Sequence, residues 1–337
     1  MMPDPTRIMD MASAFYRSQV LFAASDLNIF GALAERGTAS AEELAEGLGV
    51  SRRGLRLLLD ACVAVGLLTK ADDAYANSAE AGAFLVPGAP GDLTRAIRYN
   101  RDVYAAWGKL PELVRTGRPV EQPQTHLGGD ADRTRTFVES MHARARAIGR
   151  AVVPLLDLGG NRQVLDVGGG PGTYSVLLAE RFPQLRCTVL DLPGVVAVAK
   201  ELIAEQGAAG RVETVAGDYR TDPLPGGNDA ILLFGMLHQE SPESVLALLR
   251  KCRRALNPGG TVYAMDIMTD HTHAHPEFSA LFAVNMALTT HDGWVFSDRE
   301  LEGWMSEAGF ADFAVQPLPS PMPHWLAKAR RPHEEEI

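Results

Sequence analysis

The residues best suited to chemistry begin at a glycine-rich turn, VLDVGGGPGTYSVLLAE, where an apolar run gives way to a helical pattern. Glycines permit a tight turn and let a ligand approach the backbone, while the following helix N-terminus offers free N–H groups. The spacing D-x-G-x-G-x-G differs from the dinucleotide pattern G-x-G-x-x-G, because Thr173 stands where the third glycine is required. We expect Asp166, Gly168, Gly170 and Gly172 to hold a cofactor.

Two further aspartates follow the next two apolar runs, Asp191 in VLDLP and Asp218 in AGDYR. The first stands where a carboxylate can accept hydrogen bonds from both hydroxyls of a ribose, and the second could accept from an adenine amino group. An isolated aspartate is more often a strand-end cap or turn residue. Three acids at successive strand ends favour a nucleoside site, to which we also assign Leu192 and Tyr219.

A histidine follows the next apolar run, ILLFGMLHQESPE, in which His238 comes directly after a segment that could be buried on both faces. Histidine can accept a proton near neutral pH, so an imidazole at a strand's carboxyl end suits general-base catalysis. A lone histidine is more often structural. Its place on the same predicted edge as the three acids favours a catalytic role.

These residues need a parallel sheet to bring them together. The runs QVLDVGG, RCTVLDL, RVETVAGD, DAILLFGML and GTVYAMDIM alternate with helical segments, which is typical of an α/β, Rossmann-like, doubly wound fold. FADFAVQPLP and HWLAKAR could close it as a hairpin, giving a mostly parallel, seven-stranded sheet. Ligands of such sheets bind beyond the carboxyl ends of the strands. We assign this catalytic domain to residues 156–337.

Residues 1–155 read as a mostly helical winged-helix domain that serves as a dimerisation surface and acceptor lid. Ser40 and Glu43 form a capping-box pattern, Ser51 can cap the next helix, and GLLTK and AYANS form a hairpin. A DNA-binding role is the alternative. We discount it because the second helix has arginines only near its start and the chain is acidic.

Aromatic and sulfur side chains cluster between residues 91 and 154. Most would be core in any helical domain, because cores and ligand sites recruit the same residue types. We expect four of them, together with one later asparagine, to line an acceptor pocket: Tyr104, Trp107, Phe137, Met141 and Asn285.

Composition limits the possible partners. The net charge of −10 argues against nucleic acid and anionic membranes, because both require clustered lysine and arginine. The three cysteines are far apart and lie in apolar patterns, which suggests neither disulfides nor a zinc cluster. With no signal-peptide pattern and no apolar run long enough for a membrane helix, we expect a cytoplasmic protein with a small-molecule substrate.

Taken together, the motifs resemble those of class I S-adenosylmethionine-dependent small-molecule O-methyltransferases of the plant caffeate and bacterial polyketide-tailoring types. The resemblance covers nearly the whole chain, through the winged N-terminal half and DVGGGPG, LDLPGV, GDYRTDPLP, LHQESPE, LRKCRRALNPGGTVYAMD and SDRELEGWMSEAGF. It implies a homodimer, S-adenosylmethionine as the cofactor, and transfer of its methyl group to a hydroxyl of a small, aromatic secondary metabolite. A non-catalytic cofactor-binding relative would lack the loop or the base, and both are present.

The resemblance also implies the catalytic group, with His238 as the base and Asp266 as an acid that flanks it. The chain departs from the family pattern after the histidine, where Gln239 and Glu240 replace the usual aspartate and tryptophan. A second flanking acid is expected where Val295 stands. Half of the usual orienting groups are therefore missing.

A second histidine opens an alternative mechanism. TTHDGWVF supplies His291 close to the missing acid, and we include it among the catalytic candidates. Two imidazoles with open positions could hold a metal ion that chelates a 2-oxo acid, an arrangement that resembles the 2-oxo acid C-methyltransferases. We favour the metal-free base, with His238 and His291 as metal ligands in the alternative. The histidines of HTHAHPE are expected to lie in a solvated loop.

Overall fold

The computed structural model describes residues 3–121, 130–320 and 322–333, except for the side chains of residues 95 and 96. The chain divides into two compact units, Met1–Asp102 and Val103–Ile337. The predicted division lies between residues 155 and 156, because it follows the change in sequence pattern from helical to strand–helix. The division into compact units lies earlier, between residues 102 and 103. A lid role for the helices between the two boundaries stays a prediction.

The first unit is helical with one small sheet. Its elements, in chain order, are α1 Thr6–Ser13, α2 Phe15–Asp26, α3 Ile29–Arg36, β1 Ala39–Ser40, α4 Ala41–Leu48, α5 Arg52–Ala64, β2 Leu68–Ala71, β3 Ala74–Asn77, α6 Ala79–Phe84 and the greater part of α7 Thr94–Trp107. The predicted hairpin forms from β2 and β3, and the two-residue strand β1 pairs with β3.

Local capping explains the boundaries of the winged segment. The Ser40 hydroxyl accepts from the Glu43 N–H at 3.2 Å, and the Glu43 carboxylate accepts from the Ser40 N–H at 2.7 Å, which begins α4. Gly49 ends that helix in the left-handed region at φ 65°. The Ser51 hydroxyl then accepts from the Gly54 N–H and begins α5. The predicted caps of both helices are confirmed.

The second unit contains the large sheet. After the end of α7 its elements are α8 Leu110–Thr116, α9 Ala131–Val152, β4 Gln163–Val167, α10 Thr173–Arg181, β5 Arg186–Asp191, α11 Pro193–Glu205, β6 Val212–Ala216, β7 Asn228–Phe234, α12 Pro242–Ala255, β8 Leu256–Ile267, α13 Glu277–Thr289, α14 Asp298–Glu307, β9 Ala311–Pro317 and β10 His324–Arg330. Short 3₁₀ turns lie at Val153–Leu155 and Leu237–Gln239.

The large sheet has seven strands in the order β6-β5-β4-β7-β8-β10-β9. The strands from β6 to β8 in this order are parallel, and β10 is antiparallel to both β8 and β9. The predicted doubly wound, mostly parallel fold is confirmed. Strand order changes direction between β4 and β7, so the glycine turn after β4 and the histidine after β7 lie at the switch point where such sheets bind ligands.

Strand β7 is apolar from Ala230 to Phe234 because its two faces pack into two different core clusters. Leu232 packs into one core cluster with Val176 of α10, while Ile231 packs into another with Leu248 of α12. A strand covered by helices on both faces needs apolar side chains at every position. At its carboxyl end the chain can therefore present polar groups only after Phe234.

Two predictions from composition concern the state of the cysteines and the presence of a membrane-spanning helix. Cys62, Cys187 and Cys252 are all buried free thiols. No helix in the described ranges is long and apolar enough to cross a membrane.

Candidate active site

The glycine turn after β4 is shaped by three left-handed residues, Gly168, Gly170 and Gly172, with φ of 63°, 54° and 71°. A Cβ on Gly172 would lie 2.9 Å from the side chain of Ile203, so this glycine lets α10 pack closely on α11. A Cβ on Gly170 would meet no protein atom within 4 Å. The loop is therefore tight beneath and open above Gly170, which leaves room for a ligand against the backbone.

Asp166 lies beneath this loop rather than on its open side. The side chain is fully buried, and its Oδ2 accepts from the hydroxyl of Ser175 at 2.8 Å. A Cβ on Gly169 would come within 2.6 Å of the carboxyl carbon, so the loop rests directly on this acid. Burial raises the pKa of Asp166 to about 7. The structure places Asp166 as a support for the loop, and its predicted contact with the cofactor stays a prediction.

Asp191, at the end of β5, joins the loop to the neighbouring strand. Its carboxylate accepts from the N–H of Gly170 at 2.8 Å and from the N–H of Leu192 at 2.7 Å. Burial raises the pKa of Asp191, the two backbone N–H groups oppose that shift, and the charge of Asp218 adds to it. Two predicted cofactor residues, Gly170 and Asp191, are thus in direct contact.

The segment after β6 brings Asp218 and Tyr219 to the same edge. Asp218 Oδ1 accepts from the N–H of Arg220 at 2.9 Å. The hydroxyl of Tyr219 donates to Glu240 at 2.7 Å, and Arg220 donates to the same carboxylate oxygen through Nε at 2.9 Å and Nη2 at 2.7 Å. Burial, followed by the Glu240 charge, raises the pKa of Tyr219.

Two residues that fix this segment were not predicted. Glu240 is 3% exposed and holds both Tyr219 and Arg220 in place. The ammonium of Lys251 donates to the carbonyls of Tyr219, Arg220 and Asp222 at 2.8, 2.8 and 3.0 Å. The sequence signal for Glu240 was its position two residues after His238, where the motif that the chain resembles has tryptophan. Lys251 lies on α12 with no local motif to mark it.

His238 and Asp266 form the most defined polar pair at this edge. β7 pairs in parallel with β8, and Phe234 lies opposite Met265. This register brings Asp266, at the end of β8, beside the turn that follows β7 and carries His238. Asp266 accepts from His238 twice, from ring Nδ1 at 2.7 Å and from the backbone N–H at 3.1 Å. With Asp266 ionised, Nδ1 carries the proton and Nε2 keeps a lone pair.

Burial and aromatic packing hold the imidazole still. The side chain of His238 is 14% exposed, and that of Asp266 is 1% exposed. The imidazole meets Phe282 of α13 edge to face, with ring centroids 5.4 Å apart. The N–H of Ile267 also donates to Asp266, at 2.8 Å. An oriented acceptor nitrogen at the mouth of the sheet can take a proton from a bound hydroxyl.

The other candidate catalytic histidine stands in a different environment. His291 is exposed, and its loop contacts His238 through the backbone, where the Trp294 N–H donates to the His238 carbonyl at 3.0 Å. Val295, which stands where a second acid was expected, is 3% exposed. Within the described ranges no group of three or more His, Cys, Asp or Glu side chains has an arrangement that could hold a metal ion.

The histidines of HTHAHPE are all exposed, as expected for a solvated loop. One of them, His273, stacks on Trp294 and lies 3.4 Å from the Glu300 carboxylate.

The predicted acceptor residues occupy several positions in the second unit. Trp107 Nε1 donates to Asn285 Oδ1 at 3.0 Å, so these two lie together, and Asn285 is buried. Phe137 is half-buried and packs in a small cluster with Leu192 and its neighbours on α11. Met141 is half-buried and Tyr104 is 38% exposed. The structure joins one pair of the five, and their role as a pocket stays a prediction.

The fold and this edge of the sheet define a class of protein, a doubly wound enzyme domain that binds a nucleoside cofactor. Its glycine loop and strand-end acids suit the cofactor, and a histidine–aspartate pair lies at the same edge. Comparison with known proteins is more specific. Residues 110–311 match the family model of the O-methyltransferase domain, and residues 9–87 match that of the O-methyltransferase dimerisation domain.

Individual relatives agree along almost the whole chain. A 3-hydroxy-5-methyl-1-naphthoate 3-O-methyltransferase of Streptomyces sahachiroi is 36% identical over 324 residues, which cover 94% of this chain and 92% of the relative. Mouse (Mus musculus) acetylserotonin O-methyltransferase is 34% identical, with coverage of 90% and 83%. The solved structure of human N-acetylserotonin methyltransferase with S-adenosylmethionine superposes with a TM-score of 0.87 at 28% identity, covering 98% of this chain and 99% of the other. The chain therefore belongs to the family of S-adenosylmethionine-dependent O-methyltransferases.

Proposed function

We propose that this enzyme methylates a hydroxyl of a small aromatic acceptor, with His238 as the general base. The observation that carries the proposal is the His238–Asp266 pair at the switch point, with Nδ1 hydrogen-bonded at 2.7 Å and Nε2 left as a proton acceptor. When bound, S-adenosylmethionine supplies an activated methyl group on its sulfonium sulfur. The protein then needs only to align the acceptor oxygen and remove its proton.

The residues around the glycine loop fit the cofactor. The space above Gly170, where a Cβ would meet nothing, is a backbone cradle. Asp191 is anchored by two backbone N–H groups and still has lone pairs for ribose hydroxyls. Asp218 and Tyr219 lie on the adjacent strand end, where Glu240 and Lys251 fix their positions. These residues would hold the cofactor, with Asp166 supporting the loop from beneath.

In the catalytic step His238 Nε2 takes the proton of the acceptor hydroxyl. Asp266 holds the ring in the tautomer that leaves Nε2 free, and its charge stabilises the imidazolium that forms. General-base catalysis of this kind contributes about 10²- to 10⁴-fold to turnover. Phe282 limits rotation of the ring and helps to keep water from it.

The class of acceptor is supported by the relatives and by the second unit. Two relatives are named for O-methylation of a naphthoate and of acetylserotonin. Half-buried aromatic and sulfur side chains at Trp107, Phe137 and Met141 suit a planar ring, and the Trp107–Asn285 hydrogen bond would fix one wall. A secondary-metabolite phenol fits these features.

The test is methyl transfer from labelled S-adenosylmethionine to a panel of mono- and bicyclic phenols and 2-oxo acids. We expect phenol methylation that chelators leave unchanged, loss of about 10²- to 10⁴-fold in His238→Ala, and a milder loss in His291→Ala. Metal-dependent methylation of a 2-oxo acid on carbon, lost equally in both variants together with a bound metal, would overturn the proposal in favour of the alternative mechanism.

We also propose that the working form is a cytoplasmic homodimer without nucleic-acid or membrane partners. No residue of α1 is buried, and apolar side chains there and at the start of α2 are exposed, including Ile8, Met11 and Phe15 at 67%, 63% and 47%. Such a surface within a dimerisation-domain match favours a second copy as its cover. The buried free thiols suit a reducing compartment.

A further inference from the structure

Arg144, in the middle of α9, is half-buried and forms no ion pair with any residue that the structure describes. Two exposed arginines differ, because Arg220 pairs with Glu240 at 2.7 Å, and Arg135 of α9 itself pairs with Glu201 at 2.8 Å. A guanidinium keeps its charge at any physiological pH. A charge withdrawn from water without an opposite charge is costly, so this position favours an anion that binds there.

Helical spacing places Arg144 on the face predicted to contact the acceptor. Phe137, Met141 and Arg144 are separated by four and three residues on one continuous helix, so they lie on the same side of it. All three are half-buried, and Phe137 packs against the same small cluster as Leu192, the residue after Asp191. The cationic side chain therefore belongs to the surface that carries two of the expected pocket residues.

The charge of Arg144 reaches the catalytic edge. Burial first, and the positive charge of Arg144 second, lower the pKa of His324 to about 4, while Asp266 opposes and His238 adds to the shift. Arg144 also lowers the pKa of Tyr174 against the larger, opposite effect of burial. One histidine is thus within electrostatic reach of Arg144, His238 and Asp266.

His324 adds an independent observation. It begins β10, pairs in register with Ile267, the residue after Asp266, and is 6% exposed. Its Nδ1 is buried and has no hydrogen-bond partner among the described residues. Buried polar atoms are almost always satisfied by protein, water or ligand. This buried nitrogen beside the catalytic pair is therefore available to hydrogen-bond a polar group that binds there.

We propose that Arg144 binds a carboxylate of the acceptor, so that the enzyme prefers hydroxylated aromatic acids to neutral phenols. The inference rests on the proposed function, in which the acceptor lies beside His238. The methionyl carboxylate of the cofactor is the other possible source of the anion. The acceptor is favoured because His324 lies on β10, which β7 and β8 separate from the glycine-loop strand β4.

The probe pair is 3-hydroxy-2-naphthoate and its methyl ester, titrated into enzyme saturated with S-adenosylhomocysteine. We expect the acid to bind the wild type at least tenfold more tightly than the ester. Arg144→Gln should weaken binding of the acid about 10- to 100-fold, the range of a charge-assisted hydrogen bond, and leave the ester unchanged. Arg150→Gln is the matched control, an exposed arginine on the same helix, and should change neither affinity.

Equal affinity for acid and ester in the wild type overturns the inference, and so does a failure of the acid to bind. Loss of S-adenosylhomocysteine affinity in Arg144→Gln, with the preference for the acid retained, overturns it by moving the arginine to the cofactor. The proposed function is judged separately. Phenol methylation that depends on His238 but shows no preference for acids removes only the inference, whereas an enzyme that does not bind S-adenosylhomocysteine removes both.

Discussion

Asp266→Asn tests whether the base depends on its orienting acid. Asp266 accepts three hydrogen bonds, from His238 Nδ1 at 2.7 Å, the His238 N–H at 3.1 Å and the Ile267 N–H at 2.8 Å. Asparagine keeps one carbonyl oxygen and places an NH₂ where the second oxygen was, so it cannot replace all three and carries no charge. A hydrogen bond to an ionised group contributes about 1.5–3 kcal/mol. At about 1.4 kcal/mol per tenfold, turnover should fall about 10- to 150-fold.

The assay is kcat at saturating acceptor, with cofactor affinity measured in parallel by calorimetry. We expect the affinity to be unchanged, because Asp266 touches no part of the glycine loop in the contacts described. Asp229→Asn is the matched control, since that carboxylate, at the start of β7 in the same sheet, accepts from the N–H groups of Arg162 and Gln163 and from the side chain of Asn257. It should lower stability and spare turnover. Asp266→Asn turnover within threefold of wild type would refute the role assigned to the pair.

Three further predictions concern the cofactor loop, the acid beneath it and the assembly. Gly170→Val should abolish S-adenosylmethionine binding in calorimetry, whereas Gly49→Val, which places the same side chain at φ 65° at a helix end of the first unit, should only lower the melting temperature. The raised pKa of Asp166, about 7 against 3.8, stabilises the fold fully below about pH 4, and this contribution is lost as pH rises through about 7. The free energy of unfolding of the cofactor-free protein, measured with urea, should therefore fall between about pH 4 and 7 by at most about 1.4 kcal/mol per pH unit and level off above that range, and Asp166→Asn should flatten the slope; an equal slope in both proteins would contradict the assignment. Light scattering at micromolar concentration should give a dimer that Ile8→Glu weakens, and a wild-type monomer would exclude the proposed assembly.

Local patterns in the sequence were enough to predict the elements and their order. The caps at Ser40 and Ser51, the left-handed glycines of the loop and the apolar strand before His238 each follow from interactions within a few residues. Parallel strands separated by helices then require their carboxyl ends to share one edge. That rule is why Asp191 and His238 could be assigned to a common site before any contact was known.

Tertiary structure decided which polar groups face that site and which support it. Asp166 looked like a ligand residue, and only the packing of the loop on its buried carboxyl makes it a support. Glu240 looked like a departure from a motif, but folding places it between Tyr219 and Arg220, which a distant segment supplies. Arg144 carries no motif at all. The role of Arg144 depends on which charged groups lie near it. Residues far apart in sequence become neighbours only when the strands take their register and the helices pack on them.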